Sequence, residues 1–199
     1  LGSAGTTVYL GDTTGSADAT IEYSGGAGER TTKTAIIVQA GSTGTKSLTG
    51  ITSAIDNTDI TLNDNLTLAA KQHGNNDRLL TFGGVISGTG GLTIDDVPNS
   101  NGDQGVVVLS NAENNTYTGA TYVTGGTLVM GTTNRIANSS KISIAGGAKV
   151  DFSIAASAGF TLADGQDVEG TGSGTGNFNT GSASTNGLIT TGNSPFSHT

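Results

Sequence analysis

Gly90-Gly91-Leu92-Thr93-Ile94 returns as Gly125-Gly126-Thr127-Leu128-Val129 and again as Gly146-Gly147-Ala148-Lys149-Val150. In each copy a double glycine, which reaches positive φ without a Cβ penalty, leads straight into a short alternation of apolar and polar residues. A turn that re-launches the same kind of strand is a corner. Corners used repeatedly predict a solenoid, in which each strand pairs with its equivalent one turn along the axis. Further β-type triplets and quartets stand on either side, each bounded by Gly, Asn or Asp: Thr61-Leu62, Leu66-Thr67-Leu68, Leu80-Thr81-Phe82 and Val106-Val107-Val108-Leu109. The series continues with Ile142-Ser143-Ile144, Phe160-Thr161-Leu162 and Leu188-Ile189-Thr190.

Composition agrees with many short strands and almost no helix. Glycine supplies 33 of 199 residues, about 17% against a usual share near 7%, and each glycine inside a helix costs about 1 kcal/mol. The glycines do not fall at every third position and only two prolines accompany them, which excludes collagen. A chain that is 33% hydrophobic with nine Phe and Tyr residues fills a core one strand-face wide more readily than a sandwich. With about 20 residues per coil and strands about 4.8 Å apart, the expectation is roughly ten coils and a rod of about 50 Å. The absence of cysteine rules out a disulfide scaffold and a Cys-ligated zinc site. No apolar run approaches the roughly 18 residues of a membrane span. Eight Lys and Arg against sixteen Asp and Glu, with aromatics scattered singly, offer neither basic patch nor stacking platform for nucleic acid. The chain opens at Leu1 without a signal segment, which predicts a processed chain or a fragment.

One solenoid domain is expected over 1–199. Residues 1–57 are its less regular N-terminal part, 58–164 its best-matching coils, and 165–199 a Gly-, Ser- and Thr-rich set of coils or tail. Residues 95–105, containing Pro98, read as a protruding loop. In 165–187, Val168, Phe178 and Leu188 keep an apolar residue every ten positions, which permits narrow coils where composition alone suggests a linker.

The run from Leu109 to Val129 resembles the autotransporter-associated (passenger-associated) β-strand repeat of bacterial surface proteins. Its Asn115-Thr116-Tyr117-Thr118-Gly119 matches the repeat's Asn-Thr-Tyr-Thr-Gly, and Gly125 and Gly126 with Thr127-Leu128-Val129 match its closing Gly-Thr-Leu-x-Val. Segments from about 58 to 195 are similar to the coils that flank such repeats. The loop at 95–105 stands where the family runs Lys-x-Gly-x-Gly into a strand. The resemblance implies a right-handed parallel β-helix, located on a bacterial cell surface or outside the cell.

Candidate chemistry is sparse. His73 and His198 are the only histidines and lie far apart, so neither a His pair for a metal nor a recognisable Ser-His-Asp constellation is expected. Asp95 and Asp96, with Asp103, Asn99 and Asn101, form the best oxygen-rich cluster for a weak Ca²⁺ site, but their spacing fits no EF-hand or calcium nonapeptide. A solvated turn is the reading taken there, with no metal and no cofactor. The sequons at Asn65, Asn114 and Asn138 arise readily in Asn- and Thr-rich sequence. Tyr117 and Tyr122 are either exposed contacts or corner packing residues, the latter expected.

A rod has two open ends, and neither end of the sequence reads as a cap, so open ends are the expectation. The leading expectation is a non-enzymatic structural subunit that assembles head to tail with copies of itself into an extracellular filament or surface layer. Leu1 to Leu10 is the candidate donated strand, and Val8, Leu10, Leu188, Ile189 and Phe196 are the candidate assembly residues. The alternatives are an adhesin that displays the 95–105 loop to a glycan or host ligand and, third, a polysaccharide-active β-helix enzyme using Asp95 and Asp96.

Overall fold

The computed structural model describes residues 5–24, 28–30, 35–71, 79–97, 104–131, 135–152, 160–161, 163, 166–175, 178–179 and 189–191. These residues form an all-β solenoid in which every pairing is parallel, with no helix among them. The first coil comprises β1 (Val8–Leu10), β2 (Ala19–Tyr23) and β3 (Gly28–Arg30), and the second β4 (Ile36–Val38), β5 (Lys46–Gly50) and β6 (Ala54–Asp56). The third has β7 (Ile60–Leu62), β8 (Leu66–Lys71) and β9 (Leu79–Phe82), and the fourth β10 (Ile86–Gly88), β11 (Leu92–Val97) and β12 (Val106–Leu109). Then follow β13 (Thr121–Val123), β14 (Thr127–Met130), β15 (Lys141–Ile144), β16 (Lys149–Asp151) and β17 (Phe160–Thr161). The last strands are β18 (Asp167–Gly170), β19 (Ser173–Thr175), β20 (Phe178–Asn179) and β21 (Ile189–Thr191).

Three faces result. The first is β1-β4-β7-β10, the second β2-β5-β8-β11-β13-β15-β18-β21, and the third β19-β16-β14-β12-β9-β6-β3, with β17 and β20 paired apart. One file of Cα partners on the second face runs Ile21, Leu48, Leu68, Ile94, Val123, Ile144, Gly170, Thr191. The shortest step, Leu48 to Leu68, is 20 residues and the longest, Ile94 to Val123, is 29. Coils therefore take more chain than the expected 20 residues. The longest face stacks eight strands rather than ten, a rise of about 34 Å at the usual strand spacing.

Alternation decides which way each side chain points. Leu48, Leu68, Ile94 and Val123 are fully buried, stacked like on like through a single continuous core with Leu62, Leu80, Phe82, Val107 and Leu128. Each such side chain stabilises the fold by about 1.5–3 kcal/mol relative to exposure. Phe152 and Phe160 stack at 4.9 Å near the far end of the described core. The opposite file, Thr20, Ser47, Thr67, Thr93, Tyr122, Ser143 and Glu169, points outward. Thr20 Oγ1 and Ser47 Oγ hydrogen-bond along it at 2.7 Å.

Three expectations need correction. The double glycine at 90–91 does not take positive φ, and neither does the pair Gly83-Gly84 one corner earlier. They are glycines because a Cβ on Gly84 would lie 2.1 Å from the Thr58 carbonyl oxygen, and one on Gly90 2.1 Å from that of Asp64, so the turns of neighbouring coils stack backbone on backbone. Positive φ is found at Gly126 and Gly147. Within the Leu1 to Leu10 segment, expected as a strand donated to a neighbour, Val8–Leu10 pairs instead in the chain's own first face with Ile36–Val38, which buries Leu10. Finally, Asp95 and Asp96 do not open a loop. They lie in β11, in register with Ala69 and Ala70.

Candidate functional site

Of the segment carrying the repeat likeness, residues 115–119 lie over β10 on the first face, where no further strand is formed among the described residues. Asn115 replaces a backbone acceptor with its side chain, Oδ1 taking the N–H of Ile86 at 2.8 Å. The N–H of Thr116 donates to the Ile86 carbonyl at 2.8 Å, and that of Thr118 to Gly88 at 3.0 Å. Asn111 Nδ2 donates to Asn115 Oδ1 at 3.0 Å and also bonds the Glu113 carbonyl. Gly119 must be glycine because its Cβ would lie 2.3 Å from the Gly90 carbonyl oxygen.

Tyr117 is 1% exposed, so it is a packing residue rather than a contact surface; Tyr122 is 42% exposed. The Tyr117 hydroxyl meets Thr121 Oγ1 at 2.6 Å, Thr121 Oγ1 donates to Ser139 Oγ at 2.8 Å, and Ser139 Oγ reaches the Gly119 carbonyl at 2.9 Å. Burial pushes the Tyr117 phenol well above its ordinary range, partly opposed by the bonds to Thr121 and Ser139. Gln166 Nε2 closes the next level, donating to the carbonyls of Ile136 and Ser139 at 2.8 Å each. Arg135 clamps the 112–114 turn: Nη1 donates to the Glu113 carbonyl at 2.7 Å and to Asn114 Oδ1 at 3.0 Å, and Nη2 to the Ala112 carbonyl at 3.2 Å. Burial lowers the Arg135 pKa, with Glu113 acting against it.

These bonds connect four successive coils on a side where the first face's strand pairing has ended among the described residues. Buried polar groups must find partners, and here Asn115 Oδ1, the Tyr117 hydroxyl, the Gly119 carbonyl and the N–H groups of Thr116 and Thr118 take part in such pairs. Gly125, Gly126 and Leu128 complete the segment, Leu128 fully buried on the third face. Residues 115–119 of the motif thus tie neighbouring coils together. Ser139, Gln166 and Arg135 share the network although nothing in the local sequence signals them.

The carboxylates singled out as ligands have backbone duties. Asp95 Oδ1 accepts the Asp96 N–H at 2.8 Å, and Asp96 Oδ1 accepts that of Gly105 at 3.0 Å, pinning the chain where it returns to the third face. Burial raises the Asp96 pKa, against the Gly105 bond that lowers it. Asp103, Asn99, Asn101, His73, His198, Leu188 and Phe196 lie outside the described residues, and of Ile189 only the backbone strand is described. Among the described residues no cluster of three His, Cys, Asp or Glu side chains is placed to hold a metal. No described helix is long and apolar enough to cross a membrane.

One charged pair that the sequence reading did not single out lies at the corner between the first and second faces. Lys46, 3% exposed, sends Nζ to the Ser42 carbonyl at 2.7 Å and to Asp64 Oδ2 of the next coil at 2.8 Å. That hydrogen bond holds the Asp64 carboxyl below its ordinary range, outweighing the effect of burial.

At the first end of the solenoid, β1, β2 and β3 each have one paired and one unpaired edge among the described residues. The N–H of Val8 donates to Ala35 and the Leu10 carbonyl accepts from Gln39, so both residues face β4. By alternation, Tyr9 turns its N–H and C=O to the open edge. On β2, Ala19 and Tyr23 bond inward, which leaves Thr20 and Glu22 on that edge. Val8, Ala19 and Ile21 pack on the core yet remain partly exposed.

Comparison with known proteins finds no matching family model, no matching curated protein and no matching solved structure.

Proposed function

We propose that this chain is a non-enzymatic structural subunit of a bacterial extracellular filament or surface layer, extended by β-edge pairing between copies stacked end to end. The observation that carries the reading is the open edge of β1 and β2, with apolar Val8, Ala19 and Ile21 half covered beneath it. Among the described residues, those presenting N–H and C=O to this edge are Tyr9, Thr20 and Glu22, with no lysine or proline among them. The second face begins at β2 and ends at β21, so two copies in the same orientation would continue one parallel ladder. The extracellular setting rests on the resemblance of Asn115 to Gly119 and Gly126 to Val129 to the autotransporter-associated repeat. The network around Tyr117 supports a scaffold role for those residues.

The test is sedimentation and negative-stain microscopy of the chain over a concentration series. Linear rods longer than one molecule are expected, more abundant at higher salt, where repulsion between copies of net charge -8 is screened. Combining Tyr9→Pro with Glu22→Pro removes two edge donors that face away from the paired strand, and should abolish the rods while unfolding is nearly unchanged. A wild-type chain that stays monomeric throughout, or rods that persist in the double variant, would end this reading.

A further inference from the structure

The corner between the first and second faces changes length along the solenoid. It spans residues 11–18 after β1 and 39–45 after β4, but only 63–65 after β7 and 89–91 after β10. Where the long second turn overhangs the short third one there is a cleft of about 400 Å³, within the range of small-molecule sites. Its walls include Ser42, Lys46, Asp64, Asn65 and Thr67.

The polar groups of the cleft are incompletely used. The Ser42 hydroxyl is buried and has no hydrogen-bond partner among the described residues. Lys46 spends two of its three N–H donors, on the Ser42 carbonyl and on Asp64. Asn65 Oδ1 accepts the Gly91 N–H at 2.8 Å, which leaves its amide nitrogen to donate. Asp64 Oδ1 accepts the Asn65 N–H at 2.8 Å and, like Oδ2, keeps a lone pair. Thr67 adds an outward hydroxyl from β8. An anion entering here meets the Asp64 carboxylate, and a cation meets Lys46. A neutral group offering donor and acceptor together satisfies both members of the pair.

We propose that this cleft binds a neutral saccharide unit, with adjacent hydroxyls bridging Lys46 and Asp64 and further bonds from Ser42, Asn65 and Thr67. The inference is independent of end-to-end assembly, since the corner lies on the side of the rod.

The experiment titrates ¹⁵N-labelled chain with the methyl glycosides of glucose, mannose, galactose and N-acetylglucosamine, following the amides of residues 42–46 and 64–67. At least one glycoside should give saturable shifts confined to those amides. Ser42→Ala should weaken its binding about tenfold while leaving the unfolding midpoint unchanged or higher, because the hydroxyl removed has no partner in the free protein. Thr67→Val, which keeps strand propensity, should weaken binding as well. The proposal is overturned if no glycoside shifts these amides, if shifts spread equally over other faces, or if Ser42→Ala and Thr67→Val bind like wild type. Stronger shifts of the same amides by inorganic phosphate would overturn it too, reassigning the cleft to an anion.

Discussion

Alanine substitutions at Gly147, Gly84 and Gly88 separate the two reasons a solenoid corner needs glycine. Gly147 has φ +86° and open space where a Cβ would stand, so Gly147→Ala meets only conformational strain, about 1 kcal/mol. Gly84 lacks a positive φ, but its Cβ would lie 2.1 Å from the Thr58 carbonyl oxygen and 2.3 Å from the carbon. Backbone of a neighbouring coil cannot swing aside as a side chain would, and Gly84→Ala should cost about 2–3 kcal/mol. Gly88 combines φ +106° with a Cβ 2.3 Å from the Leu62 carbonyl oxygen, so Gly88→Ala should cost about 3–5 kcal/mol. At roughly 2–4 °C per kcal/mol for a chain of this size, the three midpoints should fall in that order in thermal and urea unfolding. Because each coil touches only its neighbours, hydrogen exchange in Gly88→Ala should accelerate first in β7 and β10. If Gly84→Ala proved as mild as Gly147→Ala, close stacking of adjacent turns would not be the constraint, and the register in this region would have to be wrong.

Lowering the pH should remove a stabilising contribution from Asp64. Its folded-state pKa lies below 3.8 because Lys46 hydrogen-bonds it, so the contribution is complete above that value and is lost as pH falls through the folded one; Lys46→Met should flatten this acid limb in pH-dependent melting. Tyr117→Phe removes the hydroxyl facing Thr121 but leaves Thr121 bonded to Ser139, so a loss of about 1–2 kcal/mol is expected in urea unfolding, with the far-ultraviolet spectrum unchanged. A neutral Tyr117→Phe would mean that the buried polar chain does not contribute to holding these coils together.

The solenoid was legible because strand alternation and double-glycine corners are local signals. Leu92-Thr93-Ile94 and Ile142-Ser143-Ile144 each announce a strand with one buried face, and Asn115 to Gly119 announces a corner by resemblance. The first six strands were harder to read. Lys46-Ser47-Leu48-Thr49-Gly50 places a lysine at an inward position, and Ala54-Ile55-Asp56 buries its aspartate while exposing its isoleucine, the reverse of what polarity predicts. Both inversions depend on partners distant in sequence, Asp64 for Lys46 and the Tyr23 hydroxyl for Asp56 at 2.6 Å.

By itself the sequence determined that the chain is built of short, repeatedly restarted strands with a narrow core, since period, turn chemistry and composition are properties of neighbouring residues. Only the tertiary structure decided how many residues make a coil, which glycines answer to φ and which to stacking, that Ser139, Gln166 and Arg135 complete the network around Tyr117, and that a cleft opens beside Lys46. Each of these depends on which residue of one coil lies above which residue of the next. With steps that vary between 20 and 29 residues, no fixed period in the sequence could have announced that alignment.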